Sequence, residues 1–331
     1  MILTDALRPP WPGDPQAFAF KEWLHLNLFD FESGNVAVVN VSLHGAPLDP
    51  RSLAVGLAVV HVPEIGWVGG VETGPRAAAA IERAGIGLRS VALALDASGD
   101  VLGQARTLDG AVELRARAQP EARTLDVEIP VPFGSGWIAW RAVPRLHPRG
   151  AWTVLGKSVD EERSAAYHDH NWGRWRWGDD VGWEWGTFLT LRGPSFVFAV
   201  TTDRAHDLRG PTTFAMDLDG RRRMWSARVM RMEYGGLLPQ VDRRLPGALA
   251  ALHQDRAHPA LPRTVSIDVD DGFDRLELLF EAESAIQLIT ADPSKRGYGF
   301  IHELAGRFWY RGIALGRSLE GEGLGIFEHV D

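Results

Sequence analysis

The chain has no cysteine, which excludes disulfides, thiolate metal sites and a cysteine nucleophile. Lysine occurs only at Lys21, Lys157 and Lys295, so the basic side chains are almost all arginine. With a net charge of −8 and no basic block, a nucleic-acid partner is not expected. Arg221-Arg222-Arg223 is short and follows Asp217-Leu218-Asp219-Gly220, which reads as a hairpin turn with a solvated flank. No run of about 18 apolar residues exists, so no membrane-spanning helix is expected. Met1 to Gly13 lacks a charged segment followed by an apolar one, which argues against a signal peptide and for a cytoplasmic location. Glycine fingerprints are missing as well. Gly85-Ile86-Gly87 and Gly321 to Gly325 lack the strand-to-helix context of a dinucleotide turn, and Gly134-Ser135-Gly136 is not a nucleophile elbow. No cofactor is therefore expected, nor a serine hydrolase.

What the chain does have is tryptophan, 13 against 4 tyrosines. Indoles build large apolar walls with one donor each, which suits a hydrophobic small-molecule partner. The length of 331 residues suggests two domains. Most of it reads as short strands between turns, the pattern of all-β sandwiches and barrels. Lys21–Phe31 and Val36–Leu43 form a predicted hairpin around Ser33-Gly34-Asn35. Further strands are expected at Leu53–His61, Leu88–Leu95, Val101–Thr107, Ala111–Ala118 and Thr124–Ile129. In the second half they are expected at Trp183–Leu191, Ser195–Thr202, Thr212–Leu218, Met224–Glu233, Thr264–Asp270, Phe273–Phe280, Ala285–Thr290 and Gly297–Leu304. Pro75–Ala84, with four successive alanines and Gly85 behind it, predicts a helix, and Leu245–Leu252 a short one. Pro130 to Pro148 carries no period, which places a boundary near 145–160 and the domains at 1–150 and 151–331.

Reactive groups concentrate at Tyr167-His168-Asp169-His170-Asn171-Trp172-Gly173, followed by Trp175, Trp177, Trp183 and Trp185. Read as a strand, the stretch puts Tyr167, Asp169 and Asn171 on one face and His168, His170 and Trp172 on the other; Asn171 to Gly173 would end it. A buried Asp169 has its carboxyl pushed up and can act as a general acid. The bland alternative is a hydrogen-bonded core cluster. His168-x-His170 points two imidazoles the same way, but a third ligand would have to come from His25, His302 or Glu303, and no metal is expected. Glu22-Trp23 with His25 opens the first strong strand. Tyr298, His302 and Glu303 lie on the last strong one, with Tyr298, Phe300 and His302 on a shared face.

These motifs, Tyr167 to Gly173, Glu22-Trp23 and Tyr298 with His302-Glu303, resemble the carotenoid 1,2-hydratase/AttH-like family in the same order over most of the chain. The resemblance implies two lipocalin-like antiparallel β-barrels in tandem, the second carrying the heptapeptide in the division above. Related folds include Diels–Alderases and other cyclases of polyketide or terpenoid intermediates. The family's hydratases use the Asp and Tyr of this motif for acid–base work on an isolated double bond, here Asp169 and Tyr167. Their upstream His-x-Trp pair has no counterpart at that spacing; Trp137, Trp140 and His147 lie in that region.

The expected activity is cofactor-independent, acid-assisted hydration or cyclisation of a hydrophobic unsaturated terpenoid or polyketide, in a cavity expected at the domain interface. Asp169, Tyr167, His168 and His170 would carry it. Asn171, Trp172, Trp175, Trp177, Trp183, Trp185, Trp23, Tyr298 and His302 would bind substrate. The alternatives are a pericyclase and a non-catalytic lipid or pigment carrier.

Overall fold

The computed structural model describes residues 5–11, 14–292 and 297–331. It is almost entirely antiparallel β-structure, gathered into two sheets that curl into half-barrels. The chain divides into two compact units, one of Met1–Val62, Val68–Asp180 and Thr290–Gly299, the other of Pro63–Trp67, Val181–Ile289 and Phe300–Asp331.

The first sheet contains β1 (Phe20–Asp30), β2 (Val36–His44), β3 (Leu53–Val62), β4 (Gly66–Pro75), β5 (Ala80–Glu82), β6 (Gly85–Gly87) and β7 (Val91–Leu95). It continues with β8 (Val101–Arg106), β9 (Val112–Pro120), β10 (Leu125–Phe133), β11 (Gly136–Val154), β12 (Lys157–Ser158) and β13 (Ser164–Arg174). Its order is β4-β3-β2-β1-β13-β11-β9-β8-β7-β6-β5, so the heptapeptide strand β13 sits between β1 and β11. The second sheet contains β14 (Gly182–Leu189), β15 (Ser195–Thr202), β16 (Arg209–Leu218), β17 (Arg221–Trp225) and β18 (Met230–Leu237). It is completed by β19 (Arg243–Leu245), β20 (Pro262–Asp270), β21 (Arg275–Ala291), β22 (Tyr298–Ala314) and β23 (Arg317–Val330). Its order is β17-β16-β15-β14-β23-β22-β21-β20-β18.

Alternation explains where the first core sits. Leu24, Leu26 and Leu28 of β1 face Val41, Val39 and Ala37 of β2 across the ladder, and all six are buried in one apolar cluster. Removing a leucine side chain from water contributes roughly 1.5–3 kcal/mol, so this face fixes the register of β1. The neighbouring residues Trp23, His25 and Asn27 then occupy the opposite face. The second core is richer in phenylalanine, with Phe188, Phe196, Phe198, Phe214, Phe280, Phe308 and Phe327 fully buried.

The predicted hairpin from Lys21 to Leu43 is present as β1–β2, and the short helix is present as α1 (Gly247–Leu252). The predicted helix at Pro75–Ala84 is not. Arg76–Ala78 makes one 3-10 turn, and Ala80–Glu82 pairs with Gly85–Gly87 as an edge hairpin. The edge pairing overrides the helix propensity of the alanines. The buried Arg76 side chain instead donates to the Gly45 carbonyl at 3.2 Å.

The boundary expected near 150 is also overturned. Gly136–Val154 is one 19-residue strand, and the first unit continues to Asp180 with the heptapeptide inside it. Pro144 sits at the register shift between Val143 and Leu146, where a strand tolerates a residue without an amide donor. That bulge erases the period of two over this stretch. Nor does the strand end at Asn171–Gly173; pairing persists to Arg174. Gly173 is needed there, because a Cβ would lie 2.3 Å from the Trp137 carbonyl oxygen. We expect Gly173→Ala to destabilise the protein by about 2 kcal/mol or more. Gly70→Ala, where a Cβ meets nothing within 4 Å, should be nearly neutral. Urea midpoints of the two variants check this.

Candidate active site

The ladder sets the geometry. Across β1 and β13, Asn27 pairs with Tyr167, His25 with Asp169 and Trp23 with Asn171. On the other side Ala142 and Trp140 of β11 pair with Asp169 and Asn171. Paired residues share a face, so Tyr167, Asp169, Asn171, Trp23, His25, Asn27 and Trp140 line one polar face. Asp169, Tyr167 and His25 are buried there.

Both Asp169 oxygens are engaged. The Tyr167 hydroxyl donates to Oδ2 at 2.8 Å, and the Asn171 amide donates to Oδ1. A proton added on Oδ2 would turn the first bond round, with the carboxyl donating to the tyrosine oxygen. Opposite them His25 Nε2 meets Asn27 Oδ1 at 3.0 Å, and the Asn40 amide meets Nδ1 at 3.4 Å. That pattern fits a neutral imidazole protonated on Nε2. Burial agrees, pushing its pKa down to about 4.

His168 and His170 do not join this group. They pair with Leu26 and Leu24 and therefore point to the core face. His168 Nδ1 donates to the His25 carbonyl at 2.7 Å, and its Nε2 is buried without a partner among the described residues. Burial pushes its pKa down to about 4. His170 has the opposite fate. Its Nδ1 meets Asp5 Oδ2 at 2.9 Å and its Nε2 meets Glu22 Oε1 at 3.0 Å. Burial opposes the charge, yet the two carboxylates push the pKa up to about 9. Burial also works against ionised Asp5, but the His170 bond and charge hold it below the usual carboxylate range. His170 is thus an imidazolium clamp joining the N-terminal segment, β1 and β13.

The tryptophans separate too. Trp175 packs edge-on against Trp23 at 5.7 Å and Trp177 at 5.9 Å. Lys21, buried, sits 4.8 Å from the Trp175 ring and 5.5 Å from that of Trp177; burial lowers its pKa to about 8. Trp172 lies on the core face, 4.9 Å from His170 and under Arg8. Trp183 and Trp185 belong to β14 in the second unit, where the Trp183 indole donates to Glu328. Of the last-strand candidates, Tyr298 falls in the first unit and His302 in the second. His302 is held by the His329 carbonyl and Gln287, both at 3.0 Å. Glu303 pairs with Glu328 on the adjacent strand, and burial raises Glu328.

The second unit holds a cavity of about 530 Å³ lined by His206, Tyr234, Arg256, Gln287, His302 and His329 among others. Of these only His302 was expected. Behind the lining, Glu184 is fully buried between Trp183 and Trp185 in sequence; a carboxylate inside an apolar strand was its one signal. In the first unit Asp5, Lys21, Asn27 and Asn40 were missed, and a lysine opening an apolar strand in a lysine-poor chain was the readable clue.

No family model matches the sequence, and no curated protein matches it. Solved structures do. An AttH-like protein from Nitrosomonas europaea superposes with a TM-score of 0.64 at 14% identity, over 98% of each chain. Kievitone hydratase from Nectria haematococca gives 0.61 at 12%, over 99% of this chain and 94% of its own. CghA in complex with Sch210972 gives 0.63 at 11%, over 95% and 89%. The chain shares their fold. The first of them carries the AttH name that the heptapeptide suggested, and what the chain has in common with all three is the tandem lipocalin-like fold.

The His170 clamp makes stability depend on pH. Its contribution is full below the unfolded value of 6.5 and is lost as pH rises through about 9. The loss is on the order of 3 kcal/mol. Denaturant midpoints at pH 6, 8 and 9.5 should fall for the wild type. For His170→Gln they should start lower and stay flatter.

Proposed function

We propose that the protein is a cofactor-independent enzyme of hydration or cyclisation, acting on a hydrophobic unsaturated terpenoid or polyketide-type substrate. The observation that carries the reading is the buried Tyr167–Asp169–Asn171 group, with Oδ2 of Asp169 2.8 Å from the tyrosine hydroxyl. Neighbours of the same fold include kievitone hydratase and CghA with Sch210972 bound, the first of which supports the hydration branch.

In the hydration branch the Asp169–Tyr167 pair delivers its proton to one alkene carbon. The π bond breaks, a C–H bond forms, and the cation on the other carbon takes up water. The proton that water sheds returns to the carboxylate. Asn171 holds Oδ1 and so fixes which oxygen carries the proton. Neutral His25 contributes no competing charge. Trp23, on the same face, offers an indole to a developing cation, worth about 0.5–2 kcal/mol. In the cyclisation branch the same pair donates to a substrate carbonyl in an apolar pocket, and no water is added.

A carrier reading has one observation in its favour: both Asp169 oxygens already have side-chain donors. The two are separated by incubating wild type and Asp169→Asn with prenylated and polyene substrates and following mass. The enzyme reading predicts a product of +18 mass units or an isomer from the wild type, with Asp169→Asn about 100-fold slower or worse at similar binding. Equal binding with no conversion by either protein would leave only the carrier.

A further inference from the structure

The cavity of the second unit has a second chemistry. Three side chains from distant points of the chain converge at its wall. Glu184 comes from β14, His329 from β23, where the two pair in register, and His206 from the turn between β15 and β16. Their ligating atoms all lie within 4.8 Å of one another. The His206 and His329 rings stack with centroids 3.6 Å apart and planes 21° apart.

The nitrogens of this group are not all used. His206 Nδ1 faces Glu184 Oε1 at 2.9 Å, a separation that a shared proton or a cation between the two atoms would fill. His206 Nε2 is buried with no partner among the described residues, in a side chain only 9% exposed, and His329 Nδ1 is likewise unpartnered there. Each is a polar atom removed from water with nothing in exchange. His206 also stands at φ 61°, a left-handed conformation that a non-glycine residue holds only when its surroundings impose it.

We propose that this is a binding site for a divalent transition-metal ion of the zinc type, held by Glu184, His206 and His329, with its remaining position open to the cavity. Two imidazoles and a carboxylate suit zinc and not magnesium or calcium. Tetrahedral Zn–N and Zn–O bonds place two ligand atoms about 3.3 Å apart, close to the 2.9 Å between His206 Nδ1 and Glu184 Oε1. The surroundings orient the donors as metal sites require. The Tyr234 hydroxyl donates to Glu184 Oε2, and Arg209 lies 3.9 Å from that same oxygen, so Oε1, which faces His206 Nδ1, is the oxygen an ion between the two would take. His302, bonded to Gln287 and to the His329 carbonyl, holds the backbone of β23 and is not itself free to ligate.

The test is to strip the full chain with a chelator, equilibrate it with Zn²⁺, remove free ion by gel filtration and measure retained metal. We expect about one zinc per chain in the wild type and at least a tenfold loss of affinity in His206→Gln and in His329→Gln. His168→Gln, in the other unit, should retain the ion, and Mg²⁺ should not replace it. Co²⁺ should give the wild type a visible absorption band of a low-coordinate site. No zinc retained by the wild type, wild-type retention in both cavity variants, or loss in His168→Gln overturns the proposal. If the cavity variants do not fold, the wild-type Co²⁺ spectrum decides: no band, no site.

Discussion

The pairing of β1 with β13 is the constraint on which the rest depends. It sets two strands in register at the centre of the first sheet, and alternation does the sorting. Apolar Leu24, Leu26 and Leu28 hold one face in the core. The same hydrogen bonds then oblige Asn27, His25 and Trp23 to lie beside Tyr167, Asp169 and Asn171. A one-residue slip would exchange the faces, burying Asp169 among leucines. The energy that positions the polar group comes from hydrophobic contacts that take no part in its chemistry.

Burial then gives chemically identical residues different characters. His25, His168 and His170 lie within one small region. Two are kept neutral by desolvation, and one is kept charged because Asp5 and Glu22 flank it. A buried imidazole takes whichever state its neighbours can satisfy. The neutral one, His25, places no charge beside Asp169. The charged one serves to tie a segment down.

How much of this could be read from the sequence follows from range. The all-β class, the β1–β2 hairpin, α1 and the division of the heptapeptide into two faces are local patterns, and they were legible. The helix at Pro75–Ala84 was misread because alanine propensity is outweighed by an edge pairing with Gly85–Gly87 and by the burial of Arg76. The boundary near 150 was misread because Pro144 and Pro148 look like linker residues until a bulge accommodates the first of them. The partners of His170 were not legible at all. Asp5 and Glu22 are brought to it by the fold, and nothing in the spacing announces them. Glu184, His206 and His329 are the same case in the second unit.

The register of the first sheet also dictates an order of events. His25 and the His168 side chain that caps its carbonyl are 143 residues apart in sequence, and the Asp5–His170 contact spans 165. During synthesis β1 and β2 can pair early, but the edge of β1 that belongs to β13 stays open until half the chain has been made. Contacts of such long range close slowly, and an open strand edge is where chains mispair. The residues that define the candidate site are therefore assembled last, so completion of this sheet and acquisition of the site are one event.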